Sequence, residues 1–85
     1  MSPGSHHVYI LRCGDGTLYC GYTTDLAARL QEHRAGRGAR YTRGRGPLEL
    51  VYAEDLPDRS SALRREAEIK RQSRACKLQL IADAR

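Results

Sequence analysis

Apolar and polar residues alternate in two different rhythms along this chain. From His7 to Cys13 (HVYILRC) apolar positions run almost unbroken and are rich in β-branched and aromatic side chains, which predicts a strand. Gly14-Asp15-Gly16 supplies residues that tolerate positive φ in a tight turn, and residues 17–23 (TLYCGYT) read as the return strand of a hairpin. Thr23, Thr24 and Asp25 offer helix caps, and a helix is expected to run to about Arg34, stopped by Gly36 and Gly38. Residues 36–47 are too rich in glycine and arginine for regular structure. Leu48 to Glu54 alternates as a third strand, with Leu48, Leu50 and Tyr52 expected on one face. Pro57-Asp58 opens a second helix over about Arg59–Gln72; Ser73 breaks it, and a short third helix is expected near Ala75–Ala84. The order is β-β-α-β-α-α, a small three-stranded sheet covered by helices and thus an α+β fold. Residues 7–85 form one domain, and residues 1–6 are expected to be disordered or a vector-derived start.

Hairpin register decides which side chains meet. With residues 14–16 as the loop, Leu11 faces Tyr19 and Tyr9 faces Gly21, so Tyr9 and Tyr19 become diagonal neighbours on one face. A two-residue loop would put them on opposite faces. In the first register Gly21 leaves a gap in the sheet surface where a ligand could approach. The rings themselves are unusual. The chain has five tyrosines and neither Phe nor Trp, so each of those rings carries a hydroxyl. A core that only needed bulk would draw on Phe as well.

Ionisable residues also stand where apolar ones are expected. At about 100° per residue, Arg29 and His33 fall within about 60° and 20° of Leu26, on the face that Leu26 and Leu30 turn inward. On the second helix Glu66 falls in the middle of the expected buried stripe, with Leu63 and Ala67 on one side of it and Ala62 and Ile69 on the other. Burying an ion without a partner costs several kcal/mol, which a domain of 85 residues can hardly absorb. These groups therefore imply either an Arg29–Glu66 ion pair or a pocket that solvent reaches. Two hydroxylated rings on one sheet face and a basic loop nearby favour the pocket.

Charge is concentrated rather than spread. Between Arg29 and Arg45 lie six arginines (29, 34, 37, 40, 43 and 45) against one acid, Glu32, which accounts for the whole net charge of +5. Clustered guanidinium groups suit phosphate, which they bind through paired hydrogen bonds. Three cysteines without paired spacing make neither a disulfide framework nor a zinc site, so Cys13, Cys20 and Cys76 are expected as small, partly buried hydrophobes in a reducing compartment. No apolar run approaches the ~20 residues of a membrane span, and the start MSPGSHH lacks the apolar stretch of a signal peptide. A cytoplasmic protein without membrane association is expected.

Taken in order, HVYIL, LYCGYT, TTDLAARLQEH, GRGARYTRGRGPLELVY and ALRREAEIK resemble the GIY-YIG nuclease superfamily, specifically its small standalone bacterial members, the UPF0213 or YhbQ-like group. The likeness runs from about His7 to Ile81. It implies an antiparallel three-stranded sheet flanked by helices. It also implies an endonuclease that hydrolyses nucleic-acid phosphodiesters with one divalent cation, Mg²⁺ or Mn²⁺. Carried over by motif, the catalytic residues are Tyr9, Tyr19, Arg29, His33 and Glu66, with Glu66 the metal ligand and Gly21 closing the second half-motif. Departures exist: Gly-Ile of the first half-motif is His7-Val8 here, the Ile of the second is Cys20, and the chain contains no Asn where many relatives carry one after the glutamate helix. Lys77 stands in that region and can contact a phosphate, but it cannot accept a hydrogen bond.

The resemblance assigns Tyr9 to activating water, His33 to relaying the proton and Arg29 to stabilising charge on the phosphate. A free phenol at pH 7 needs about 4 kcal/mol to ionise, a cost that Arg29 and the metal are expected to lower. Arg37, Arg40, Tyr41, Arg43, Arg45, Gly21 and Lys77 are the expected nucleic-acid contacts, giving salt-dependent and largely sequence-blind affinity. Better-known relatives gain specificity from appended DNA-binding domains. A single domain implies recognition of DNA, more than RNA, by shape or through a partner protein. The alternative is a nucleic-acid-binding module of the same fold in which catalysis is weak or absent.

Overall fold

The structure, a computed structural model, describes residues 5–37, Thr42 and residues 44–84. Its elements are β1 (His6–Arg12), β2 (Leu18–Thr23), α1 (Leu26–Arg34), β3 (Glu49–Leu56), α2 (Arg59–Lys70) and α3 (Arg74–Asp83). They form an antiparallel sheet of order β2-β1-β3 with helices on both sides, the expected α+β arrangement. β1 opens at His6, one residue before the expected domain start, and β3 runs two residues past the expected Glu54.

Each helix begins on a side-chain cap. Asp25 accepts from the Ala28 amide at 3.1 Å, Asp58 from the Ser61 amide at 2.7 Å, and Ser73 from the Cys76 amide at 3.1 Å. α1 ends where Gly36 takes φ +79°, and the amides of Gly36 and Arg37 bond back to the carbonyls of His33 and Glu32. That closure fixes the last turn of α1, where His33 sits.

Central strand β1 is covered on both faces, with Val8, Tyr9, Ile10 and Leu11 all buried. Its even positions carry the core: Val8 and Ile10 join Cys20, Ala62, Ile69 and Ile81, so α2 and α3 lie on that side. Its odd positions carry the candidate site. Tyr9 pairs with Gly21 and Leu11 with Tyr19, as a three-residue loop requires.

Four local expectations are corrected. A register shift between Ile10 and Leu11 pairs Ile10 with Tyr52 but Leu11 with Leu50. Val51 is thus the extra residue of a bulge, and Leu50 and Tyr52 face opposite sides instead of one. Leu48 precedes the strand altogether. Leu63 is 39% exposed while Ala62 and Ile69 are fully buried, so the inward stripe of α2 is rotated away from Leu63. Finally, all three cysteines are free thiols, but Cys76 is exposed rather than partly buried.

Candidate nucleic-acid-binding site

Loop length and strand register bring Tyr9 and Tyr19 to one face, with ring centroids 6.4 Å apart. The final turn of α1 then delivers His33 against both, at 5.9 Å from Tyr9 and 5.4 Å from Tyr19, each in an edge-on geometry. Tyr9 Oη lies 2.9 Å from His33 Nε2, and His33 Nδ1 lies 2.9 Å from Thr42 Oγ1. A neutral imidazole satisfies this chain by accepting from one hydroxyl and donating to the other. Tyr9 is 1% and His33 2% exposed, so this is the floor of the site.

Gly21 makes the floor possible. A Cβ built there would stand 2.5 Å from Tyr9 Oη, 2.6 Å from Tyr9 Cζ and 3.1 Å from Tyr19 Cε2. The expected gap in the sheet is therefore filled by the phenol of Tyr9 and is not open to a ligand. Gly21 acts as the bed for that ring, which reaches His33 by lying flat across the neighbouring strand.

Electrostatics sort the cluster. Burial pushes the Tyr9 phenol well above its ordinary range; the neighbouring Tyr19 and the Glu66 charge push the same way, and Arg29 only partly opposes them. Arg29 was expected to ease ionisation of Tyr9; desolvation outweighs it. Tyr19 is also raised by burial, with Lys70 opposing and Glu66 adding to the rise. His33 is lowered, first by burial and then by the Arg29 charge, with Glu32 opposing. At neutral pH the floor is uncharged: two phenols keep their protons and the imidazole lacks its second one.

Charged groups form the rim. Arg29 is about two-fifths exposed; its Nε stands 3.7 Å from Glu32, beyond hydrogen-bond reach, and is buried without a hydrogen-bond partner among the described residues. Glu66, 18% exposed, pairs with Lys70 at 3.2 Å one turn on. The Arg29–Glu66 ion pair considered from sequence is absent among the described residues. Cys20 lies against the α2 backbone, its Sγ 4.0 Å from the Glu66 carbonyl, which sets Glu66 beside the edge strand β2. Burial, reinforced by Glu66, pushes the Cys20 thiol up to about 11.

These motifs, in this order and geometry, match the GIY-YIG catalytic domain over residues 5–79. The chain belongs to the GIY-YIG family. Within that family it is a close homologue of the small UPF0213 proteins. It is 56% identical over 78 residues to the UPF0213 protein of Natronomonas pharaonis, covering 92% of each chain. It is 49% identical over 77 residues to that of Streptococcus sanguinis, covering 91% of this chain and 88% of the relative. Among solved structures, the solution NMR structure of the Bacillus halodurans UPF0213 protein superposes with a TM-score of 0.60 at 51% identity, over 91% of this chain and 82% of that one. An E. faecalis protein gives a TM-score of 0.64 at 40% identity, over 92% and 83% respectively.

In this GIY-YIG chain three of the candidate residues, Tyr9, Tyr19 and His33, are in contact, while the charges of Arg29 and Glu66 act on the phenols and that of Arg29 on the imidazole. Others lie apart. Arg45 turns to the hairpin tip, where it pairs with Asp15 at 2.6 Å, and Lys77 lines a cleft beside Thr17 and Leu18. Arg37 is exposed just past α1. Arg40, Tyr41 and Arg43 lie outside the described residues.

Two participants escaped the sequence reading. Thr42 holds His33 from a loop with no periodic signal. Lys70 was legible, since a Lys four residues after Glu66 shares its helix face.

No group of three or more His, Cys, Asp or Glu side chains converges among the described residues. A hard divalent cation fits the donor set only as a one-carboxylate site on Glu66, keeping most of its waters, and Lys70 competes for that carboxylate. No helix among the described residues is long and apolar enough to cross a membrane.

Proposed function

We propose that this chain binds nucleic-acid backbones across the Tyr19–Arg29–Glu66 rim, as a module of the GIY-YIG fold in which phosphodiester hydrolysis is weak or lost. Arg29 carries the reading. Its Nε is buried with no hydrogen-bond partner among the described residues and only the Glu32 carboxylate at 3.7 Å, yet its side chain reaches solvent near phenols that burial keeps protonated. Glu32 stands too far to accept a hydrogen bond from this Nε, and a phosphate would supply paired oxygens for the guanidinium. Two observations weigh against fast chemistry. The Glu66 carboxylate is already ion-paired, and Tyr9, the expected activator of water, is sealed in the floor with its proton held.

A metal-dependent endonuclease is the second reading, favoured by the 2.9 Å Tyr9–His33 contact beside Arg29 and Glu66. There Glu66 would hold Mg²⁺ or Mn²⁺, which when bound neutralises charge on the scissile phosphate and leaving oxygen. Neutral His33 accepts the Tyr9 proton, Arg29 faces the phosphate oxygens, and half-buried Tyr19 is the phenol on the solvent side.

Both readings are separated by incubating the protein with branched and single-stranded DNA and RNA in Mn²⁺, measuring binding and cleavage together. Wild type is compared with Glu66→Ala, Tyr9→Phe and Arg29→Gln. Binding that Arg29→Gln weakens, without cutting, supports the module. Cutting by wild type that is lost in Glu66→Ala and Tyr9→Phe while binding persists establishes the enzyme. Absence of binding to every substrate sinks both.

A further inference from the structure

A second cationic cleft lies outside the cluster just described. It has a volume of about 170 Å³ and is lined by Thr17 and Leu18 at the start of β2 and by Arg74 and Lys77 in the first turn of α3. Neither cation has an ion pair among the described residues, although both line the same cleft. Thr17 brings no negative charge to balance them, and its hydroxyl and amide are taken up by Asp15. Helix electrostatics deepen the imbalance. α3 has no acid in its first turn, so two cations stand at the end of a helix where its dipole disfavours them and favours an anion. Solvent reaches both groups, Arg74 being exposed and Lys77 half-buried, so an anion from outside the chain can reach both cations in the cleft.

Position says which anion. Leu18 immediately precedes Tyr19 on the edge strand β2, and the Lys77 charge reaches the Cys20 thiol. Leu18 and Cys20 leave the opposite face of β2 from Tyr19, so the cleft lies across this edge strand from the phenols, on the side of α2 and Glu66. We propose that it is a second phosphate subsite for the same nucleic-acid strand, Arg74 forking onto a backbone phosphate and Lys77 acting as a point charge. This inference rests on the nucleic-acid-binding reading above and adds a contact remote from the tyrosine–histidine floor. Half-buried Leu18 gives the adjoining sugar an apolar surface.

The test uses a fluorescent single-stranded oligonucleotide, titrated at several salt concentrations against wild type and Arg74→Gln/Lys77→Gln. Arg29→Gln is measured alongside, with Arg59→Gln/Arg64→Gln as an equal-charge control on exposed α2 positions. Each phosphate contact to a single strand contributes about 0.7 to the slope of log affinity against log salt. The cleft double variant should therefore lose about 1.4 of slope. Taking affinities as equal at 1 M salt, binding at 0.1 M is then about 25-fold weaker. Circular dichroism checks that all variants remain folded. If the cleft variant matches wild type, or the α2 control loses as much, the subsite is refuted while loss in Arg29→Gln leaves the primary reading standing. If wild type does not bind the oligonucleotide, both fall. An NMR titration with inorganic phosphate at constant ionic strength supplies the last arm. Shifts of the Arg74 and Lys77 amides with phosphate but not with the oligonucleotide would make this a free-phosphate site and overturn the assignment.

Discussion

Replacing Gly21 by alanine tests the way the floor is built. The added methyl would stand 2.5 Å from Tyr9 Oη and 2.6 Å from Tyr9 Cζ, far inside contact distance. A ring tip can usually swing aside, but Tyr9 is 1% exposed and wedged beside His33, so it has no free space to enter. Overpacking of this kind costs about 1–3 kcal/mol. Displacing the phenol also breaks the buried contact to His33, worth about 1–3 kcal/mol when a partner is left unsatisfied. Against this, alanine gains roughly 0.5–1 kcal/mol over glycine in a strand. The net loss is about 1–5 kcal/mol, or at least ~4 °C in the unfolding midpoint for a domain this size. Thermal unfolding followed by circular dichroism reads it directly. Gly46→Ala is the control, since nothing lies within 4 Å of a Cβ there; its midpoint should hardly move. In a Tyr9→Leu background, Gly21→Ala should lose most of its effect, because the ring it strikes is gone. A midpoint unchanged or raised in the single Gly21→Ala variant would refute this account of the floor.

His33 makes stability pH-dependent. Its folded-state pKa is lowered, so the unfolded chain binds more protons below its ordinary value of 6.5. Stability is complete above that value and declines as pH falls from it toward the folded value, by at most about 1.4 kcal/mol per pH unit; His33→Gln should abolish this phase. The lowered carboxyls of Asp15 and Asp58 act only as pH falls through and below 3.8, a separate window. Of the three thiols, Cys76 should react rapidly with a thiol reagent at pH 8, whereas buried Cys13 and Cys20 should react only as the protein opens. Equal rates for all three would contradict the burial. Glu66→Ala should cost under about 1 kcal/mol in urea unfolding, because its pair with Lys70 lies at the surface on the lysine side; a loss of about 3–5 kcal/mol would mean a buried structural pair instead.

Much of the site was legible because strand and helix periodicity are strict. Loop length alone put Tyr9 opposite Gly21, and the helical wheel alone turned His33 inward, where it is the buried residue of α1. Where one residue breaks the count, the pattern fails. The bulge at Val51 has no compositional mark, and it reverses the facing of Leu50 relative to Tyr52. Leu63 misled for a different reason. The stripe of α2 is set by contact with β1 and β2, which small Ala62 permits at close range and bulkier Leu63 does not. Thr42 and the Asp15–Arg45 pair join residues through loops, where spacing carries no information about distance. Gly21 was recognised as a gap, but only the coordinates reveal that the opposing phenol occupies it.

That Asp15–Arg45 pair has a practical consequence at the hairpin tip. The Gly14 amide also donates to the Arg45 carbonyl, and Gly14 lies so close to Gly46 and Pro47 that no side chain fits between them. Exposed turns are ordinarily the safest places to graft an epitope, split a chain or splice in a reporter. Here the turn is the mooring of Arg45, Gly46 and Pro47, so an insertion between Gly14 and Gly16 would break those contacts while leaving the sheet intact.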